Sequence, residues 1–194
     1  MAVTEKQIQN DLYYYLYHHG MKLIFPNMDV ITGYEADIIA LTGRNYASEY
    51  EIKISLADFR ADRKKVFKHA SLAQDVRKHK YPYDCDKDRE LWVKLDAPDD
   101  PYQALRYVCL PDRIPKHFWY VIHGFDVPAG ELPDYAGLMR YEADSRQVYG
   151  LKFKVVRKAP QLKARPVDEK TVQHATTNML YRYWTIRLKT EAAA

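Results

Sequence analysis

Between Tyr34 and Ser55 the chain alternates apolar and polar residues at a spacing of two, YEADIIALTGRNYASEYEIKIS. That pattern predicts two β-strands joined by a turn at Thr42-Gly43-Arg44-Asn45. Strand side chains alternate between faces, so Glu51 and Lys53 share one face while Tyr50, Ile52 and Ile54 take the other. By the same rule Glu35 and Asp37 share a face of the first strand. If the two strands pair, Asp37, Glu51 and Lys53 converge on one polar patch of an otherwise apolar pair.

The pattern around this stretch is mixed. Thr4 to Gln7 has the form of a capping box, and Ile8, Leu12, Tyr15, Leu16 and His19 recur at helical spacing, predicting a helix up to about Gly20. Glu5 falls on the same face, one turn before Ile8. It is read either as a carboxylate that complements the helix N-terminus or as an extra acidic group aimed at the site, and both can hold. Met21 to Ile31 reads as a strand interrupted at Pro26-Asn27. After Ser55 a second capping-type start, SLAD, opens a single helix through about Ala70, with Leu56, Phe59, Val66, Phe67 and Ala70 as its buried stripe. Arg60, Lys64 and Lys68 recur at i, i+4 and i+8 along one flank; Asp58, Asp62, Lys65 and His69 line the other. The cationic row is either a solvated face or the place where a phosphate backbone lying over the site would rest.

Residues 74–115 mix turn signals with short strand-like runs, Leu91-Trp92-Val93 and Tyr107-Val108-Cys109-Leu110, and read as an insertion. Asp84, Asp86 and Asp88 alternate as in a calcium loop, but the glycine and the terminal glutamate that such a loop needs are missing. The insertion is a DNA-contacting arm, an oligomer contact or decoration. Strands are predicted at His117 to Ile122, Ala136 to Tyr141 and Tyr149 to Val156, the last two joined through Asp144-Ser145-Arg146. A final helix covers about 169–189, with Val172, Ala175, Met179, Tyr183 and Ile186 inward and Arg182, Arg187 and Lys189 outward. A strand meander directly after a helix points to a mixed α/β (α+β) core in a single domain over 1–194.

Composition narrows the function classes. No apolar run approaches the ~18 residues that span a membrane, and the first residues lack the cationic-then-apolar order of a secretory signal. Two cysteines without a CxxC pair make a disulfide framework or a thiolate zinc site a poor reading, and a reducing cytoplasmic setting is expected. A net charge of +4 permits a polyanionic partner without demanding one. A donor set of Asp and Glu without His or Cys suits Mg²⁺ or Mn²⁺.

The arrangement Asp37…Glu51-Ile52-Lys53, with a helix before it and a helix after it, resembles the PD-(D/E)xK nuclease superfamily. Ala36 stands where that motif has proline. More narrowly, YEIKISLADFRADRKK together with the later FWYV and DYAGLMRY runs resembles the MmcB-like DNA-repair endonucleases and their phage-encoded relatives, over about residues 3–70 and 116–165. The resemblance implies a restriction-endonuclease-like core, a central mixed sheet flanked by helices with the site at a splayed strand pair. It implies that Asp37, Glu51 and the backbone carbonyl of Ile52 bind Mg²⁺ or Mn²⁺, that Lys53 orients or activates the attacking water, and that Glu5 is an accessory acid. Glu35 is expected to support the site and Glu49 to face solvent.

The function so implied is metal-dependent hydrolysis of DNA in repair or phage DNA metabolism. The partner is DNA, contacted through its backbone by Arg60, Lys64 and Lys68. The setting is the cytoplasm of a bacterium or phage-infected cell, with no membrane association; a homodimer is allowed. Two other classes remain open: a catalytically silent nucleic-acid-binding protein on a nuclease-like fold, and a phage interaction protein that uses the 74–115 arm.

Overall fold

The computed structural model of the chain describes residues 3–73, 84–85, 90–94, 105–108, 114–143 and 152–192. The first helix, α1, is Glu5–His18. Thr4 caps it, its hydroxyl accepting the Gln7 N–H at 3.2 Å, and Gly20 ends it with a φ of 79° that suits glycine. Ile8, Leu12 and Leu16 are fully buried, whereas His19 is exposed and stacks on Tyr15 at 4.0 Å. An amphipathic stripe thus holds α1 against a sheet.

That sheet begins with β1 (Leu23–Met28), β2 (Ala36–Leu41) and β3 (Ala47–Lys53), an antiparallel meander. Pro26 and Asn27 do not interrupt β1; Asn27 is accommodated at a φ of 48°. The chain then forms α2 (Leu56–Asp62) and α3 (Val66–Leu72). Within the expected insertion, β4 (Asp84–Cys85), β5 (Glu90–Lys94) and β6 (Leu105–Val108) make a separate antiparallel sheet, placing all of the first strand-like run and Tyr107-Val108 of the second in strands. Asp86, Asp88, Cys109 and Leu110 lie outside the described residues.

The main sheet resumes with β7 (His117–Ile122), β8 (Ala136–Tyr141) and β9 (Phe153–Arg157), and the chain closes with α4 (Glu169–Ala192). Six strands run in the order β1-β2-β3-β7-β8-β9, with β3, β7 and β8 parallel and β9 antiparallel at the edge. The mixed α/β architecture expected from the sequence is the architecture observed. The described part of the last predicted strand is β9; the turn at Asp144-Ser145-Arg146 and the predicted strand start at Tyr149 lie outside the described residues. Among the described residues no helix is long and apolar enough to cross a membrane.

Period two along the strands sorts the core into two layers. On one face Ile38, Ala40, Tyr50, Ile52, Val121 and Met139 pack with the stripe of α1. Ile54, just past β3, is 44 % exposed instead. On the other face Phe118, Tyr120 and Ile122 pack with Phe59 of α2 and Leu72 of α3, while Phe25, Ile39 and Leu41 pack with Ala175 of α4. Gly137 of β8 is needed here: a Cβ would drive into the Trp119 ring and sit 2.7 Å from the Ala159 nitrogen.

Two helices depart from the pattern. The single helix expected over 55–70 is broken at 63–65, where Lys65 takes a φ of −74° and a ψ of 69°. The Lys65 N–H donates to the Asp62 carbonyl at 2.8 Å, and His69 Nε2 lies 2.8 Å from the same oxygen, so the freed carbonyl is satisfied across the break. The side chains of Val66, Phe67 and Ala70 lie outside the described set. In α4, Ala175 is buried and Val172 partly so, but Met179, Tyr183 and Ile186 are 38 %, 53 % and 66 % exposed. Among the described residues the stripe packs on the sheet through Val172 and Ala175, and its later positions stay exposed.

Candidate active site

The β2–β3 ladder ends at the pair Ile38↔Tyr50. One residue further, the Asp37 carboxylate replaces the backbone: its Oδ2 accepts the Ile52 N–H at 2.7 Å. Asp37 is therefore tied to the residue that separates Glu51 from Lys53. Gln9 of α1 fixes the strand from behind, its amide donating to the Asp37 carbonyl at 2.7 Å and to Asn27 Oδ1 at 3.0 Å. This splayed end of two strands brings Asp37, Glu51 and Lys53 together, as the alternation predicts.

Glu51 and Lys53 are enclosed by the helices after β3. Glu51 is 1 % exposed and Lys53 6 %. Lys53 Nζ is 3.0 Å from Glu51 Oε2 and 3.8 Å from Asp62 Oδ1. Lys68, entering from α3, takes the other oxygen of Glu51 and lies 2.8 Å from Glu49 Oε1. Asp62 is fully enclosed: Tyr120 donates its hydroxyl at 2.8 Å, Lys65 reaches it at 2.9 Å, and His69 Nε2 lies 3.3 Å away. His69 is steadied in turn by Tyr135, whose hydroxyl is 2.5 Å from Nδ1. The result is a network in which two buried lysines balance three buried carboxylates, with Lys65 and His69 at its rim.

The electrostatics follow from burial and these neighbours. Burial opposes the charge on Lys53, but Glu51, Asp62 and Asp37 together hold its pKa above the ordinary lysine value, so Lys53 stays protonated. Lys68 is raised in the same way by Glu49, Glu51 and Asp62 against the pull of burial. Asp62 would be pushed up by burial, yet His69, Lys68, Lys53 and Lys65 hold it well below the usual carboxylate range. Glu49 is pushed up by burial, with Lys68 opposing and Glu51 adding to the rise. Asp37 is pushed up to about 7, first by burial and then by Glu51, with Glu5 contributing; the Ile52 N–H and Lys53 pull the other way. At Asp37 positive charge falls short: Lys53 and the Ile52 N–H do not offset burial and the neighbouring carboxylates.

That shortage bears on whether the residues fit a divalent cation. Among the described residues no three His, Cys, Asp or Glu side chains form a ligand group by themselves. Mg²⁺ is usually held by one or two carboxylates, with water and substrate phosphate completing its shell. The hard oxygens of Asp37 and Glu51 match that sparse mode, and a cation beside Asp37 would offset both the burial that chiefly raises its pKa and the repulsion from Glu51 that adds to it. The cation would compete with Lys68 for Glu51.

Other expected residues are placed differently. Glu5 is exposed and does not project into the core, although it lies near enough to Asp37 to raise its pKa. Glu35 is exposed and precedes β2, so no support to the site is seen from it. Glu49, expected in solvent, is 0 % exposed and paired with Lys68. The cationic row does not exist as a row. Arg60 is engaged by Glu131 through two bonds of 2.9 and 2.6 Å, Lys64 is exposed, and Lys68 is 3 % exposed inside the site. The break between α2 and α3 turns Lys68 inward. Asp62 and His69 were legible only as one helix flank; Tyr120 and Tyr135 carried no polar signal beyond being tyrosines.

No protein-family model matches the sequence, and no curated protein matches it. Among solved structures the chain is similar to the SPO1766 protein of unknown function from Silicibacter pomeroyi, with a TM-score of 0.54 and 18 % identity, over 96 % of this chain and 94 % of that one. At that identity the likeness speaks to the fold alone: a mixed sheet flanked by helices, on which Asp37, Glu51 and Lys53 meet.

Proposed function

We propose that the protein is a metal-dependent DNA nuclease that hydrolyses phosphodiester bonds at the splayed end of β2 and β3. The observation that carries this reading is the bond from the Ile52 N–H to Asp37, which joins Asp37 to the Glu51–Lys53 pair on one sheet face. In this reading Asp37 and Glu51 hold Mg²⁺ or Mn²⁺, with the Ile52 carbonyl as a further donor. The metal, when bound, supplies a more acidic water and offsets charge on the phosphate. Lys53 is a permanent cation because Glu51, Asp62 and Asp37 keep it protonated. It therefore acts as a hydrogen-bond donor that orients water and steadies negative charge on the phosphoryl oxygens, not as the base. Asp62 fixes Lys53 from behind, since its own charge is secured by Tyr120, Lys65 and His69. Glu5 tunes Asp37 from a distance.

The setting proposed is the cytoplasm of a bacterium or phage-infected cell, with DNA repair or phage DNA metabolism as the role. One observation favours a second reading, a nucleic-acid-binding protein that no longer cuts. Both oxygens of Glu51 are already shared by lysines, which neutralises the residue the metal requires. Cleavage of linear, nicked, branched and single-stranded DNA with Mg²⁺ or Mn²⁺ separates the two. Metal-dependent cleavage on any substrate supports the nuclease; binding of DNA without cleavage on every substrate supports the silent reading.

A further inference from the structure

The second half of α4 leaves uncovered an apolar surface that the proposed nuclease chemistry does not use. Leu180, Tyr181, Tyr183, Trp184, Ile186 and Leu188 are each more than half exposed, from 51 % at Trp184 to 70 % at Tyr181. Leaving out Ile186, which faces the other way, and taking ~200 Å² for a large side chain, the remaining five present on the order of 600 Å² of apolar surface on one side of the helix. That reaches the upper end of the ~300–600 Å² that the largest patch of a monomeric protein exposes. The patch is held in place: Arg182 donates to the Asn27 carbonyl of β1, so this half of the helix is tied to the edge strand.

We propose that this half of α4 is a self-association surface whose occupant is the α4 of a second copy of the chain. A two-fold contact is isologous, so the same surface is contributed twice. Two such patches bury on the order of 1,200 Å², which clears the ~1,000 Å² a specific interface needs. Leu180, Trp184 and Leu188 recur at i, i+4 and i+8, the spacing of a ridge that packs against another helix. Tyr181 and Tyr183 flank that ridge, one on each side, whereas Ile186 lies across the helix from Trp184 and continues the stripe whose start, Val172 and Ala175, packs on the chain's own sheet. Nucleic acid is the competing occupant, because Arg182, Arg187 and Lys189 share this half. It fits less well. Leu180 and Leu188 offer no flat face for a base, and the Arg187 guanidinium already lies 5.5 Å from the Trp184 ring centre. The contact would begin close to the candidate site, since Asn27, which Arg182 holds, is joined through Gln9 to Asp37.

The proposal does not rest on the nuclease reading and is tested without DNA or metal. Sedimentation of the full chain across a range of concentrations is expected to show a species of twice 22.8 kDa. The exposed positions allow substitution without disturbing the core, so Leu180→Glu combined with Leu188→Glu should leave the circular dichroism and melting unchanged. The pair should weaken association by about 100-fold or more. A Trp184→Phe variant should lose the blue shift in tryptophan emission that accompanies association in the wild type. A wild type that stays at 22.8 kDa throughout overturns the proposal, as does a dimer that survives the double substitution unchanged. A monomer that binds a single-stranded oligonucleotide, and loses that binding in the double variant, would assign the surface to nucleic acid instead.

Discussion

Lys68 reaches from α3 to Glu49 at 2.8 Å and takes one oxygen of Glu51, while Lys53 holds the other at 3.0 Å. A buried ion network of this kind is secured by completeness. Removing one partner leaves charge without an answer, at a cost of about 3–5 kcal/mol. Lys68→Met should therefore destabilise the protein by about that amount, because Glu49 and Glu51 both lose their shared cation. Adding Glu49→Gln to Lys68→Met should recover more than ~1 kcal/mol of the loss, since the two residues are in direct contact. Urea unfolding of the two single variants and the double variant measures the coupling. Additive effects would mean that Lys68 and Glu49 are neighbours without being partners.

Asp37 gives the site a signature in pH. Its carboxyl is pushed up to about 7 by burial first, then by Glu51 and Glu5. The unfolded chain titrates the same group near ~3.9. Between these values the folded state binds the proton more tightly, so the associated stability is full below about 4 and lost as pH rises through about 7. Asp37→Asn, which has no proton to lose, should flatten that part of the metal-free stability profile. Metal binding requires the carboxylate, so the apparent Mg²⁺ affinity of the wild type should rise by up to about tenfold per pH unit below about 7 and then level off. Melting temperatures from pH 4 to 9, with and without Mg²⁺, test both statements. The same slope in wild type and Asp37→Asn would contradict the assignment.

Arg60 and Lys64 divide what the sequence grouped as one cationic row. Arg60 is held in a fork by Glu131, whereas Lys64 is exposed. If DNA passes over this flank, Lys64→Ala should reduce the salt dependence of binding by about one phosphate contact. Glu131→Ala should strengthen binding, because it releases the Arg60 guanidinium and removes a negative charge. Binding measured against ionic strength decides this, and an unchanged slope in both variants would show that the flank is only solvated. Lys68 belongs to a different experiment, since its burial removes it from the DNA surface.

The strands were legible in the sequence because period two is a local signal. It put Asp37 on one strand and Glu51 with Lys53 on the next, and the bond from Ile52 to Asp37 shows the strands meeting there. The same alternation places Glu49 with Glu51 and Lys53. Its burial was missed because whether a polar face is covered depends on α2 and α3, not on the strand itself. The break between those helices carries no glycine or proline. It is stabilised by Asp62, whose carboxylate meets Tyr120 and whose carbonyl meets Lys65 and His69, contacts that exist only after the chain has folded back on itself. The exposure of the α4 stripe was equally hidden: periodicity identifies an apolar face but cannot say how much of it is covered.

The most direct test of the nuclease assignment is single-turnover DNA cleavage by wild type and Glu51→Gln, with Mg²⁺ or Mn²⁺. Glu51→Gln keeps the shape of the side chain while removing the charge that the metal and both lysines require, and its fold is checked by circular dichroism. Asp37, Glu51 and Lys53 acting together predict metal-dependent cleavage in the wild type and a loss of about 100-fold or more in the folded variant. Equal cleavage by the two proteins would place the chemistry elsewhere, and no cleavage by wild type on any substrate would contradict the assignment outright.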